Sequence, residues 1–326
     1  AIALFTTTRI VYASNNYMLN QQFTNHIFSR RNGKRNTLGE IMYLTKSSAA
    51  MNGDSNKLSF TLIGDPAMKL ASPEYSVAFT HINGNPVSAA IDTFQALQTV
   101  TIEGNVYTED GSFADTFNGV VHPTILDAAS QVKTLGSNGA DIFTYYDRTK
   151  VLFTGKDSVV NGRFRFSFVV PKDIQYSYKQ GRINLYVCDN ASINEGHGYF
   201  DKFALGGTYD QAVQDTVGPT IRLFLNDTTW TPKQSVNETP TLIAKVTDNV
   251  GLNSSTQGIG HDFQLVIDDD PNQVYSLSNY YMADVGSFQS GTVQYVLPTL
   301  TAGKHNLTFR AWDVNNNASV QRLSFT

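Results

Sequence analysis

The sequence predicts a mostly β protein: two consecutive immunoglobulin-like β-sandwich modules preceded by the C-terminal part of an α/β domain. Three observations predict it. Only 16% of the 326 residues are charged, against roughly 25% in an average soluble protein, and the polar remainder is rich in Asn, Thr, Ser and Gln. The chain carries 20 Phe and 16 Tyr, residues that pack well on a pleated, half-buried surface. Finally, the apolar period changes around Leu62-Ile63-Gly64-Asp65-Pro66-Ala67-Met68-Lys69-Leu70, from mixed helix and strand spacing before it to a period of two after it. This sets boundaries at 1–72 for the α/β segment, 73–215 for the first sandwich and 216–326 for the second.

Ala1-Ile2-Ala3-Leu4-Phe5 is a short apolar run of the kind buried on both faces of a parallel sheet. Leu19, Phe23 and Ile27 recur at spacing four between Asn16 and Ser29 and predict an amphipathic helix. Thr37-Leu38-Gly39-Glu40 is a capping box that opens a second helix, with Ile41 and Leu44 on its buried face. Lys57 to Ile63 alternates as a strand and ends at Gly64-Asp65-Pro66, since Pro cannot donate to a ladder. In the β part, Thr99 to Tyr107 alternates up to a turn at Glu109-Asp110-Gly111. In Arg163-Phe164-Arg165-Phe166-Ser167-Phe168 three rings share one face, which fixes the register. Ile183 to Cys188 is a further strand of this module, and Asp215 to Pro219 reads as a linker. Thr220 to Leu225 and Leu307 to Trp312 open and close the last module, with turns rich in Gly, Asn and Asp between them.

Composition excludes several function classes. A net charge of −4 without a basic stripe gives no electrostatic footprint for nucleic acid, which needs clustered Lys and Arg. The one basic cluster, Arg30-Arg31-Asn32-Gly33-Lys34-Arg35, reads as a solvated loop. No apolar run reaches the ~18 residues of a membrane-spanning helix. Cys188 is the single cysteine, so no internal disulfide forms, and its strand-end context suits a small buried thiol. The chain opens with neither an initiator Met nor a charged region ahead of its apolar run, so it reads as an internal fragment that begins within a strand.

Residues 1–70 resemble the last part of the gingipain-like cysteine peptidases. The likeness is carried by Ala1 to Arg9, the helix around Asn16-Tyr17-Met18-Leu19-Asn20, the start Leu38-Gly39-Glu40 and the segment Leu62-Ile63-Gly64-Asp65-Pro66-Ala67-Met68. Asp215-Thr216-Val217-Gly218-Pro219, Gly258-Ile259-Gly260-His261-Asp262, Asn279-Tyr280-Tyr281 and Ala311-Trp312-Asp313 are similar to segments C-terminal to the peptidase domain in the type IX secretion system sortases of Bacteroidetes. The resemblance implies a caspase-like α/β fold for 1–72. It also implies a cell-surface, outer-membrane-associated enzyme that removes C-terminal sorting domains from secreted cargo and joins the new end to a surface lipopolysaccharide. Such an enzyme needs a Cys thiolate beside a His base. The family places both ahead of Ala1, so no catalytic residue is expected here and the chain alone is expected to be inactive.

By the same resemblance Thr6, Thr7, Thr8 and Arg9 wall a substrate pocket; read on their own, the threonines satisfy backbone groups in a strand-to-helix connection. The acidic and amide-rich loops offer calcium ligands at Asp248, Asn249, Asp262 and Asp313, together with Asn315 and Asn317, and in the first module at Asp189, Asn190 and Glu195. The competing reading is that Asp and Asn simply build turns. His261-Asp262 reads as a hydrogen-bonded loop brace, and Asp268-Asp269-Asp270-Pro271 as a hairpin turn. No other cofactor is implied. Two functions from different classes remain: a segment of a surface cysteine peptidase, and a non-catalytic module that docks cargo protein, an outer-membrane β-barrel partner or a polysaccharide.

Overall fold

Residues 2–31, 34–70, 73–87, 92–191, 193–232, 234–255 and 260–326 are described by the computed structural model. They fall into two units, 1–72 and 73–326.

In the first unit, strand β1 (Leu4–Thr7) is followed by helices α1 (Ala13–Ile27) and α2 (Leu38–Ser47) and strand β2 (Phe60–Ile63). The expected stripe of α1 is its buried face: Leu19 is fully buried with Met51 and Phe60, and Phe23 stacks on Phe5 at 5.2 Å between centroids. The capping box of α2 forms as the spacing dictates. The Glu40 amide donates to Thr37 Oγ1 at 3.3 Å and the Thr37 amide to Glu40 Oε2 at 2.8 Å. The first-turn amides of Leu38 and Gly39 donate to the carbonyls of Met68 and Pro66 at 2.8 and 2.9 Å, so all of these otherwise orphaned donors are satisfied. Two of the segments that carry the family resemblance therefore hold each other.

Three local expectations are corrected by the structure. β1 pairs antiparallel with β2, Leu4 opposite Ile63, and Leu4 and Ile63 are 52% and 56% exposed, so this is no doubly buried parallel strand; a continuous apolar run does not encode the direction of its neighbour. Lys57-Leu58-Ser59 belongs to a 3-10 turn, Ser55–Ser59, because the Asp54 carboxylate takes the Asn56 amide at 2.8 Å and coils the chain there. The basic cluster is an antiparallel ribbon pairing Arg30 with Arg35 and Arg31 with Lys34, its Asn32 and Gly33 lying outside the described residues.

The second unit is almost all strand. Its first part contains β3 (Tyr75–Ile82), β4 (Asp92–Ala96), β5 (Thr99–Tyr107), β6 (Gly119–Leu126), β7 (Val151–Thr154), β8 (Asp157–Val160), β9 (Arg163–Val169), β10 (Arg182–Asp189), β11 (Glu195–Phe200) and β12 (Phe203–Thr208). Seven of these close on themselves in the order β6-β8-β9-β5-β3-β11-β10-β6. The expected open sandwich is thus a barrel. Alternation of period two is common to both architectures, and closure rests on a short parallel pairing of β11 with β3, Gly196 opposite Tyr75 and His197 opposite Ser76. Phe164, Phe166 and Phe168 all point into the core, at 4%, 4% and 1% exposure. A small sheet of β4, β12 and the pair Lys179–Gln180 packs on that same core, with Phe94 stacked on Phe203 at 4.5 Å.

The second part contains β13 (Thr220–Leu225), β14 (Thr241–Thr247), β15 (Gln264–Ile267), β16 (Val274–Ser276), β17 (Tyr281–Ala283), β18 (Ser290–Val296), β19 (His305–Trp312) and β20 (Ala318–Phe325). Two four-stranded antiparallel sheets, β13-β14-β18-β17 and β16-β15-β19-β20, share one core in which Leu242, Val246, Phe263, Leu265 and Phe309 are fully buried. Asp268 and Asp269 turn the β15–β16 hairpin with φ of 53° and 55°, a left-handed conformation that Asp tolerates.

Barrel closure is testable at Gly198, where β11 approaches β3 so closely that a Cβ would overlap the Val77 carbonyl oxygen. Gly198→Ala is expected to destabilise the chain by about 1–3 kcal/mol, the usual range for overpacking, read as a lower urea midpoint.

Candidate functional site

Thr6 and Thr7 lie on β1, and only Thr8 and Arg9 continue beyond it. Thr8 donates through its amide at 2.9 Å and its hydroxyl at 3.1 Å to the Ser59 carbonyl. Arg9 Nε donates to Ser59 Oγ at 2.8 Å. Both side chains are thereby tied to the turn that precedes β2, the backbone-satisfying role open to a connection of this kind.

Cys188 is partly exposed near the end of β10. Partial burial pushes its thiol pKa up, and the neighbouring Asp189 and Glu195 carboxylates push it further in the same direction. A nucleophilic cysteine needs the opposite, a depressed pKa beside a cation. His26 closes the last turn of α1 and belongs to the other unit.

The polar groups of the second unit concentrate where the barrel meets the second core. Asp173, in the segment after β9, accepts from His261 Nδ1 at 2.5 Å and Asn253 Nδ2 at 3.2 Å on one oxygen, and from Asn316 Nδ2 at 2.8 Å on the other. Its backbone carbonyl accepts from Lys150 Nζ. His261 packs against the Trp312 ring at 4.4 Å, so it is the loop brace its sequence context predicts, though Gly258 and Ile259 before it lie outside the described residues. Burial alone would raise the Asp173 pKa, but the bonds from His261, Asn316 and Asn253 and the field of His261 outweigh it, and the carboxyl is held below its ordinary value. The Lys172 amide adds a backbone bond to the Val314 carbonyl at 3.0 Å.

Beside this junction three carboxylates converge. Asp215, Asp248 and Asp313 each place an oxygen within 4.8 Å of the other two. They come from the linker before β13, the turn after β14 and the end of β19. Each spends one oxygen on a local turn: Asp215 Oδ1 accepts the Val217 amide at 3.0 Å, Asp248 Oδ1 those of Val250 and Gly251 at 2.8 and 2.7 Å, and Asp313 Oδ1 that of Asn317 at 2.6 Å. Asp313, fully buried, also accepts Asn317 Nδ2 at 2.7 Å on Oδ2. The second oxygens of Asp215 and Asp248 are sealed from solvent and accept no hydrogen bond. Burial raises the pKa of Asp248 and of Asp313, and the neighbouring carboxylates raise both further.

The structure therefore brings together two of the four residues read as calcium ligands, Asp248 and Asp313. Asn249 is exposed, and Asp262 is not one of the converging carboxylates. Sequence reasoning missed Asp215, whose place in an apparent linker gave no sign that it folds back on two distant turns. In the first-module set Asp189 closes a turn, accepting the Ile193 amide and Asn194 Nδ2, while Glu195 on β11 accepts the Tyr186 hydroxyl from the paired strand β10 at 2.7 Å.

Residues 1–71 match the model of peptidase family C25. Along 99% of its length the chain is similar to a solved structure of dimeric latent PorU from Porphyromonas gingivalis, with 32% identity and a TM-score of 0.50; it spans 31% of that chain. The sporulation control protein Spo0M from Bacillus subtilis aligns over 78% of this chain and 91% of its own at 8% identity and a TM-score of 0.26. No curated protein matches the chain.

The junction predicts both a mutational and a pH effect. Asp173→Ala leaves three donors without an acceptor and is expected to lower stability by about 2–3 kcal/mol in chemical denaturation. Because the folded-state pKa of Asp173 lies below the unfolded value of about 3.9, its contribution is complete above that value and is lost as pH falls through the folded pKa. Stability curves measured from neutral pH downward are expected to fall less steeply below about pH 4 in Asp173→Asn than in the parent chain.

Proposed function

We propose, on the premise that residues 1–71 form a peptidase family C25 segment and that the whole chain is PorU-like, that this chain is the C-terminal portion of a cell-surface sortase of a type IX secretion system. In this reading the parent enzyme cleaves C-terminal sorting domains from secreted cargo. Its catalytic Cys and His lie outside this chain, and the β-rich unit holds the enzyme on its partners at the outer membrane. The observation that carries the reading is the continuous match, in which a C25 segment runs directly into β structure that aligns with PorU at 32% identity.

Two features of the chain support it. The Cys188 thiol is shifted away from the thiolate form, which fits a chemistry located elsewhere. In the first unit the directly opposed pair Leu4 and Ile63, with Ile2 at 65% exposure beside them, is the kind of apolar surface that the remainder of a peptidase sheet covers. Among the described residues no helix is long and apolar enough to cross a membrane.

A second reading, a non-catalytic docking module, is favoured by one specific element of the barrel part. The hairpin of Ser130–Lys133 and Thr144–Asp147 exposes Leu135, Ile142, Phe143 and Tyr146 at 92%, 64%, 66% and 66%. Exposed apolar side chains so concentrated mark contact surfaces. The two readings are compatible, the hairpin serving the parent enzyme as a docking element.

Incubation of the chain with a sorting-domain substrate is expected to give no thiol-dependent cleavage by mass spectrometry; cleavage that Cys188→Ser abolishes overturns the assignment of catalysis to residues outside it. For the docking role, replacing Leu135, Phe143 and Tyr146 together by Ser is expected to weaken binding to a purified outer-membrane β-barrel partner at least about tenfold, or ~1.4 kcal/mol, with the melting temperature unchanged.

A further inference from the structure

We propose that Asp215, Asp248 and Asp313 form a calcium site that clamps the linker before β13 onto one end of the second core. Turn building explains one oxygen on each residue, and on Asp313 both. It leaves the second oxygens of Asp215 and Asp248 buried, close to a third carboxylate and without any donor. A buried carboxylate oxygen is an acceptor only, and leaving it unpaired beside like charges is among the more expensive arrangements a fold can contain. A divalent cation satisfies these oxygens at once and neutralises most of the local charge.

The donor set selects the metal. It is all carboxylate, with no His or Cys in the group, which disfavours zinc and the softer transition metals. The three ligands sit on two turns and a linker, a flexible frame that suits the variable six-to-eight oxygen coordination of Ca²⁺ better than the near-ideal octahedron Mg²⁺ demands. Surrounding contacts are arranged to hold such a site in place. Asn317 Nδ2 bridges the Asp215 carbonyl at 3.0 Å and Asp313 Oδ2 at 2.7 Å, and Asn315 Nδ2 donates to the Val213 carbonyl at 3.2 Å. The amide side chains thus fasten the linker to the Asp313 turn from the outside, while the carboxylates face one another.

The consequence is a metal-dependent joint. Asp313 lies next to Trp312, on which His261 of the Asp173 junction packs, so ordering this turn also orders the contact between barrel and second core.

Isothermal titration of the chelator-stripped chain with CaCl2 is expected to give saturable binding. In parallel, a free calcium level about 100-fold above Kd is expected to raise the melting temperature by roughly 5–10 °C, and MgCl2 at the same concentration is expected not to do so. Asp215→Asn and Asp248→Asn keep the turn-accepting oxygen, so both variants are expected to fold in chelator as the parent does while binding calcium at least tenfold more weakly. Terbium luminescence excited through tryptophan gives an independent reading, with emission expected from the parent chain and lost in both variants. Absence of calcium heat and of terbium emission overturns the proposal, as does an equal response to Mg²⁺. If either Asn variant is more stable than the parent in both calcium and chelator, the cluster is held by shared protons instead, which also overturns it.

Discussion

The Asp173 carboxylate is the interaction on which the second unit depends, because it accepts from three side chains carried by two different connections of the following core. His261 and Asn253 come from the β14–β15 connection and Asn316 from the β19–β20 turn, and a charged acceptor makes bonds to neutral donors stronger than their neutral equivalents. Remove the charge and the two connections lose a common anchor. The Lys172–Val314 backbone bond then remains, along with the bond from the Gly286 amide to the Lys156 carbonyl at 2.8 Å on the other side of the interface. Neither of these gathers more than one loop. The unit is therefore a barrel and a two-sheet layer joined by a polar hub, with aromatic rings filling the cores on either side.

Much of the secondary structure was legible because period-two alternation is a direct consequence of burying one strand face. The strand β5 spans Thr99–Tyr107 as its alternation indicates, and the three-ring strand β9 buries all three Phe. The capping box at Thr37 and Glu40 was equally legible, since its partners lie three residues apart. What the sequence did not disclose is long-range: that β11 would find β3 in parallel, closing a sheet whose inner and outer faces alternate just as those of an open one do. The small residues Gly196 and Gly198 were the available signal, because only glycine lets two backbones approach as closely as these do.

The site divides along the same line. Asp248 and Asp313 were readable as ligand-type residues from their Asn- and Asp-rich turns, but their convergence, and the recruitment of Asp215, depends on strand order in the second core. A linker aspartate looks the same in sequence whether it faces water or a buried neighbour. His261 was readable as a brace because no second His or nucleophile stands near it, although its true partner, Asp173, is a barrel residue that local context could not name. For Thr6 to Arg9 the sequence placed a connection where the structure has the end of a strand followed by two anchored side chains.

Turn chemistry and cation binding draw on the same residue types, and the structure separates them by counting acceptors. At Asp189 both oxygens are used by Ile193 and Asn194, and at Asp270 the Asn272 amide and side chain occupy Oδ1 while Gln273 reaches Oδ2. On these half-buried residues both oxygens have partners, and their turns are complete without a ligand. At Asp215 and Asp248 the turn is complete too, yet a buried oxygen is left over on each. Since an exposed surplus acceptor would be hydrated at no expense and a buried one is not, a buried leftover oxygen beside other carboxylates is what sets this cluster apart from a turn. By that criterion the loops of this chain are unequal: the first-module acidic loop is a closed local structure, and the cluster at the end of the second core is an open one.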